Sequence, residues 1–357
     1  MNEFIYPKAS LLPIECPRCK VQKPENGGYR LRKLRDVGGV REAKVMKVRC
    51  RNCRKLVACV YPPEVPRAKW YSTKLEGIFA ILDVHQVDEG VGNEIAEQLG
   101  YPLKPETRAN WQGLRAWRIE RLENEAKQTL SETQIDIASL DEFKVTGGWV
   151  YSLTDVSSQA VLTYCFSEKR SESVVRDLIA EHEPKAIISD GCKAIKAACE
   201  WFANVPHGRC WFHVIRDVLN NFKKAERKPV AFVLRCLYEQ DNLEEAEHFL
   251  NFLVQNHGTD KLNPLLNAWQ GLAQIWLVPD MPLTNNTSEN LYHGLWRRSR
   301  KRVVNAEHRL LDWLKEAFWR WNHHHIDDKS PWQRFSSQAS PHWLNAILTP
   351  LGRSYDF

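Results

Sequence analysis

Apolar residues along the chain follow two rhythms, and the switch between them divides it. Ile135 to Val145, Trp149 to Thr154 and Ala160 to Phe166 are short apolar or alternating runs, with turn residues at Asp155 to Gln159. They predict three strands. Ser171 to Glu181 predicts a helix, and Ala186 to Ser189 predicts a fourth, buried strand that runs into Asp190-Gly191. Such an ending pushes a carboxylate out at the sheet edge while the glycine turns the chain. From Ala225 to Trp276 the spacing becomes helical: Phe232, Leu234 and Leu237, then Ala246, Leu250 and Leu253, then Leu265, Leu266, Trp269 and Leu272. Thr284-Asn285-Asn286 is a turn and helix start, which puts Glu289 in a first helical turn. Trp313, Phe318, Trp319 and Trp321 are expected in a core, and His323-His324-His325 at an exposed helix end.

The first part of the chain reads differently. Tyr29 to Arg49 is rich in β-formers and is broken at Gly38-Gly39, which predicts a hairpin. Pro62, Pro63 and Pro66 mark a linker. Thr73-Lys-Leu-Glu76 predicts a capping box opening a helix through about Gln86. Further helical signals cover Gly92 to Gly100 and, from Pro105, a long helix through Lys127.

Composition adds a partner. The chain has 357 residues, 43% hydrophobic and 26% charged, and no apolar run of membrane-spanning length. No signal peptide is evident at Met1-Asn2-Glu3-Phe4, so a cytoplasmic, nucleoid-associated protein is expected. The net charge of +6 is uneven, because residues 1–70 carry 17 Lys and Arg against 6 Asp and Glu. A basic head on a mildly acidic body suits a polyanion such as DNA.

Ten cysteines in such a chain point to metal or core positions rather than disulfides. Cys16-Pro-Arg-Cys19 and Cys50-Arg-Asn-Cys53 are two matched Cys-x-x-Cys knuckles, the pattern of a zinc ribbon holding one structural Zn²⁺. The segment otherwise reads as too polar for a core of its own. Arg18, Lys20, Arg49, Arg51, Arg54 and Lys55 crowd the knuckles, where they would meet phosphates.

The Ile-Ala-x-x-Leu-Gly pattern at 95–100, followed by a Thr/Arg-rich helix, resembles helix-turn-helix domains. That resemblance makes the Gly100 region the turn and 105–118 the recognition helix, with Thr107, Arg108, Asn110 and Gln112 facing a groove.

Three antiparallel strands, a helix and a strand ending in Asp is the order of the ribonuclease-H-like fold. "LDEFKVTGGWVYSLTDVSSQAVLTYCFSEKRS" followed by "AIISDG" resembles the front half of a DDE transposase or retroviral-type integrase core. "CKAIKAACEWFANVPHGRCWFHVIRDVLNNF" and "MPLTNNTSENLYHGLWRRSRKR" resemble Mutator-like transposases. The resemblance implies Asp141, Asp190 and Glu289 as catalytic acids that hold Mg²⁺ (or Mn²⁺), two ions per site. Asp136, Glu142 and Asp155 rival Asp141 as the first acid. It also implies that the helical run is an insertion within the core. Arg297, Arg298, Arg300 and Arg302, with Lys301, would grip the DNA backbone. Cys210 and His213 repeat a Cys-x-x-His of that group, and are read as core or DNA-contact residues. Arg216-Asp217 departs from the group's Arg-Asn pair.

The expected architecture is therefore α/β: a zinc ribbon (1–66), a helix-turn-helix-like domain (70–130), a ribonuclease-H-like core (131–224 and 281–357) and an all-helical insertion (225–280). The expected activity is Mg-dependent cleavage and strand transfer on double-stranded DNA, at element ends and target, by a homodimer or larger homo-oligomer. A nuclease or resolvase without strand transfer, and a domesticated DNA-binding regulator, are the alternatives.

Overall fold

The computed structural model describes residues 5–37, 39–62, 65, 71–84, 89–99, 105–145, 147–288, 291–292, 307–324 and 328–337. Residues 1–123 and 305–320 group into one compact unit, and residues 124–304 and 321–340 into a second. Among the described residues, no helix is long and apolar enough to cross a membrane.

The first unit opens with an antiparallel sheet of three strands, β1 (Pro24–Asp36), β2 (Gly39–Cys50) and β3 (Leu56–Val60), in that order. The central strand β2 is covered on both faces. Met46 and Val48 pack with Ile14, Val57 and Val60 on one side, and Ala43 and Val45 with Leu34 and Val65 on the other. The expectation of a segment without a core is thus corrected: two small apolar clusters flank the sheet. Three helices follow, α1 (Thr73–Val84), α2 (Glu89–Gln98) and α3 (Pro105–Glu132), around Leu75, Phe79, Ala96 and Trp111. The cap of α1 is Ser72, not Thr73. Its hydroxyl accepts from the Leu75 N–H at 3.1 Å and lies 2.6 Å from Asp36 Oδ1.

In the second unit, β4 (Ile137–Val145), β5 (Gly148–Asp155) and β6 (Val161–Ser167) form an antiparallel meander. α4 (Glu172–His182) leads to β7 (Ala186–Ser189), and α5 (Lys193–Glu200) to β8 (His207–Arg209). β7 runs parallel to β4 and β8 parallel to β7, giving the sheet order β6-β5-β4-β7-β8. Strand alternation sorts the side chains. Ala138, Leu140, Leu153 and Ile187 face a core that also holds Val175 and Ile179 of α4 and Ile195 and Ala198 of α5. Ile137, Ala186 and Ile188 point to the other face, where they meet Met281.

A helical block follows β8: α6 (Trp211–Leu219), α7 (Arg227–Tyr238), α8 (Leu243–His257), α9 (Thr259–Leu272) and α10 (Gln274–Leu277). Its core is built around Trp211, which has edge-on contacts with Tyr238, Trp269 and Trp276. Leu234, Leu237, Ala246, Leu250, Leu253, Leu265 and Leu272 are buried there as their spacing predicts, whereas Phe232 is 68% exposed. α11 (Glu307–His323) and α12 (Pro331–Ser336) complete the described chain. His323 ends α11 buried against Trp332, 5.9 Å between ring centroids, which corrects the exposed position expected for it. His324 is exposed and His325 lies outside the described residues.

Within the first unit, α1, α3 and the early part of α11 are joined by buried ion pairs. Arg115 is fully buried and donates to Asp83 Oδ2 at 2.8 Å and to Glu316 Oε1 at 2.7 Å. The sequence places 281–357 as a whole in the expected ribonuclease-H-like core. The grouping of residues 305–320 with 1–123 moves this stretch of α11 to the N-terminal unit.

Candidate functional site

The four cysteines of the two knuckles converge. Cys16 and Cys19 precede β1, Cys50 ends β2 and Cys53 lies in the turn before β3. Their sulfurs all lie within 4.8 Å of one another, with Cys16–Cys53 and Cys19–Cys50 each at 3.5 Å. Tetrahedral zinc with ~2.3 Å Zn–S bonds needs sulfurs about 3.8 Å apart. The cluster fits that ion and is compatible with a zinc ribbon.

The knuckles close alike. The Lys20 N–H donates to the Cys16 carbonyl at 2.9 Å, and the Arg54 N–H to the Cys50 carbonyl at 2.8 Å. Lys20 and Arg54 both take left-handed backbone, φ 57° and 59°. The Asn52 side chain and the Val21 N–H bring the Cys19 thiol down to about 6. Arg51 is exposed on the second knuckle, and Arg54 beside it is paired with Glu25.

The residues expected to read a groove from α3 separate. Asn110 is exposed, and Thr107 and Gln112 are half-buried. Arg108 faces inward: it is buried, ion-paired with Asp83, and lies 5.8 Å from the Phe79 ring centroid. A guanidinium leaves water only where a carboxylate receives it, and Asp83 of α1 does so. This corrects the expectation that Arg108 meets DNA.

Two carboxylates of the second unit, Asp141 and Asp190, lie where the parallel pairing of the inner strands β4 and β7 ends. Leu140 of β4 pairs with Ser189 of β7 in parallel register, so the next residues, Asp141 and Asp190, follow at the same level. Ser139 and Ile188 are also partners, which puts Asp141 and Asp190 in step on the face opposite the Leu140 core. Neighbouring strands lie about 4.8 Å apart. Asp141 is 6% exposed. Its Oδ1 accepts the Glu142 N–H at 2.8 Å and its Oδ2 accepts from Asn285 Nδ2 at 3.1 Å. Asp190 is half-buried and its Oδ1 accepts the Cys192 N–H at 3.0 Å.

The segment around Glu289 docks on this same face. Ser288 Oγ lies 2.7 Å from Ser139 Oγ, and the Tyr292 hydroxyl donates to the Asp141 carbonyl at 3.0 Å. Burial, and then the nearby Asp141 charge, push the Tyr292 phenol well above its usual 10, so it stays a donor. Sequence reasoning missed Asn285 and Tyr292 as partners of Asp141 and Ser139 as the partner of Ser288. The one available signal was Tyr292 lying three residues after Glu289. Glu289 itself, Arg297, Arg298, Arg300, Lys301 and Arg302 lie outside the described residues.

The rivals of Asp141 are engaged elsewhere. Asp136 is exposed and paired with Lys185 at 2.6 Å. Glu142 points to the opposite face, 2.5 Å from Arg170 Nη2. Asp155 Oδ2 accepts from Ser157 Oγ, the Ser158 N–H and Ser158 Oγ at 2.6–2.7 Å, and so caps its own turn. Cys210 is buried at the start of α6, where its N–H donates to the Ser189 carbonyl at 2.9 Å; His213 is half-buried one turn on. Arg216 lies 3.6 Å from Asp217.

These features define a mixed α/β protein with a four-cysteine cluster that could hold a metal in one unit and two neighbouring aspartates on inner strands of the sheet in the other. Residues 182–308, just over a third of the chain, match the model of the family described as "Transposase, Mutator family", a match that supports a Mutator-like insertion-sequence transposase. The matched stretch contains Asp190, the Cys210–His213 pair and Glu289; Asp141 and the cysteine knuckles lie before it. No curated protein matches the chain.

Proposed function

We propose that this transposase is of the DDE type, with a ribonuclease-H-like core whose Asp141, Asp190 and Glu289 cut and join DNA at the ends of a mobile element. The observation that carries the reading is the shared level of Asp141 on β4 and Asp190 just past the adjacent parallel strand β7, where residues flanking Glu289 dock through Asp141. The sheet order, an antiparallel meander followed by two parallel strands, supports the same core.

The three carboxylates are hard oxygen donors suited to Mg²⁺ or Mn²⁺, and would hold two ions per site. Such ions, when bound, supply charge for both the attacking and the leaving oxygen of phosphodiester transfer. Asn285 orients the Asp141 carboxylate, and Tyr292 fixes the backbone behind it. The zinc ribbon, through Arg51 and Arg54, and α3, through Thr107 and Asn110, read the element ends. Arg297, Arg298, Arg300 and Arg302 hold the backbone near the cut. The assembly is a homodimer or larger, because two ends are joined together.

The test is nicking and joining of a labelled end duplex in Mg²⁺. Asp141→Asn, Asp190→Asn and Glu289→Gln each abolish both steps and leave DNA binding intact. Each keeps side-chain size but removes the charge that holds the metal. Full activity in Asp190→Asn, or in EDTA, sinks the reading. Nicking without joining by the wild-type protein points instead to a nuclease or resolvase.

A further inference from the structure

Asp190 lies just past the end of β7, and its backbone is held from the neighbouring strand. Arg209 of β8 pairs with Ser189 in the sheet, and its Nη2 donates to the Asp190 carbonyl at 2.8 Å. Two glycines make room for this side chain. A Cβ at Gly191, which has φ +74°, would overlap the Arg209 guanidinium, and a Cβ at Gly271 would overlap Arg209 Cγ. Gly191 belongs to the turn carrying Asp190; Gly271 lies in the last turn of α9, in the helical block. The arginine therefore lies in a slot with one wall from the sheet edge and one from the insertion.

The rest of the turn is tied as well. Ser189 Oγ accepts the Gly191 N–H at 3.0 Å and lies 2.7 Å from His207 Nε2. With the Asp190 carbonyl held by Arg209 and its Oδ1 by the Cys192 N–H, the carboxylate has little freedom left. A Cβ at Gly271 would also come within 3.2 Å of the His207 carbonyl, but its tightest contact is with Arg209, and away from such contacts alanine would serve a helix better.

We propose that Arg209 is the positioning residue for Asp190, and that the helical insertion sets Arg209 through Gly271, so that the insertion helps to aim the second acid. This rests on the reading of Asp190 as a metal-holding acid. An arginine that fixes a carboxylate's backbone presets the ligand geometry, so its loss weakens metal binding before it affects the fold.

The experiment measures Mn²⁺ affinity of the full chain with its cysteine centre zinc-loaded, alongside thermal midpoints. Arg209→Ala is expected to weaken Mn²⁺ binding by about tenfold, within the range for lost outer partners of metal ligands, and Arg209→Lys to recover part of it. Gly271→Ala is expected to weaken it similarly although it favours the helix. Combined with Arg209→Ala it adds nothing, because the slot is already empty. Mn²⁺ affinity within twofold of wild type in Arg209→Ala, or effects of the two changes that multiply, overturns the proposal. Gly271→Ala carries the test if Arg209→Ala does not fold, and unchanged affinity there is equally fatal. Asp190→Asn separates the two levels. If it keeps the Mn²⁺ site, the reading of the acids fails and Arg209's role with it. If it loses the site while Arg209→Ala retains it, only the positioning role fails.

Discussion

Asp155 and Asp141 lie on adjacent strands, and their surroundings give them opposite work. Asp155 spends one oxygen on three donors of its own turn, while Asp141 faces Asn285 and the segment around Glu289. Asp155→Asn should therefore lose stability, by roughly 1–2 kcal/mol for disturbed buried hydrogen bonds. It should retain nicking within about tenfold, a barrier change of ~1.4 kcal/mol. Nicking rates and thermal midpoints of the same preparation check both halves. His323 gives a second residue-scale outcome. Burial pushes its imidazole down to about 4 from an ordinary 6.5. The unfolded chain thus takes up a proton that the folded chain refuses between those values. Stability is full above about 6.5 and falls as pH drops toward 4, by up to roughly 3 kcal/mol from this group. His323→Gln should flatten that loss in denaturant melts from pH 7 to 4; an unchanged slope shows that the loss arises elsewhere.

At the scale of elements, the sheet that carries the four-cysteine cluster has apolar clusters on both faces, yet they are small. Structural zinc contributes on the order of 10–16 kcal/mol in comparable peptides. Chelation should therefore open residues 1–60 while the second unit stays folded, seen as loss of hydrogen-exchange protection confined to β1–β3. Less than half an equivalent of zinc in a protein still protected there would rule the centre out.

Strands and most helices were legible because alternation and helical spacing are local signals: β7 falls on Ala186–Ser189 as read. Which polar residue is buried is not a local signal. Arg108 and Asn110 lie on the same turn of α3, and Arg108 alone meets Asp83, 25 residues earlier. Ser72 took the cap from Thr73 because Asp36, in β1, receives its hydroxyl. Asp141 and Asp190 stood out by strand pattern and resemblance, whereas the contacts that Asn285 and Tyr292 make to Asp141, and Arg209 to Asp190, became visible only with the sheet register.

For the whole molecule, charge and partner go together. DNA affinity should fall steeply with salt, as Lys and Arg displace counterions from phosphates. Deleting residues 1–70, which carry a net charge of +11, should flatten that slope. Arg54 is already paired with Glu25, so Arg51→Ala should reduce the slope more than Arg54→Ala, by about one unit. Glu316→Ala should cost roughly 3 kcal/mol, because Arg115 stays buried with one carboxylate fewer. Replacing both Arg115 and Glu316 by apolar residues should cost less, as thermal melts of the two variants would show.

The Arg115–Glu316 pair also orders events in time. The two residues are 201 apart in sequence. At about 5–20 residues per second of synthesis, Arg115 waits roughly 10–40 s for its second carboxylate to leave the ribosome. The N-terminal unit begins first and finishes near the end, after the strands that carry Asp141 and Asp190 have emerged. A nascent chain stalled before Glu316 would present α1 and α3 with an incompletely paired cation between them, so a fully assembled N-terminal unit comes only from a ribosome that has already made Asp141 and Asp190.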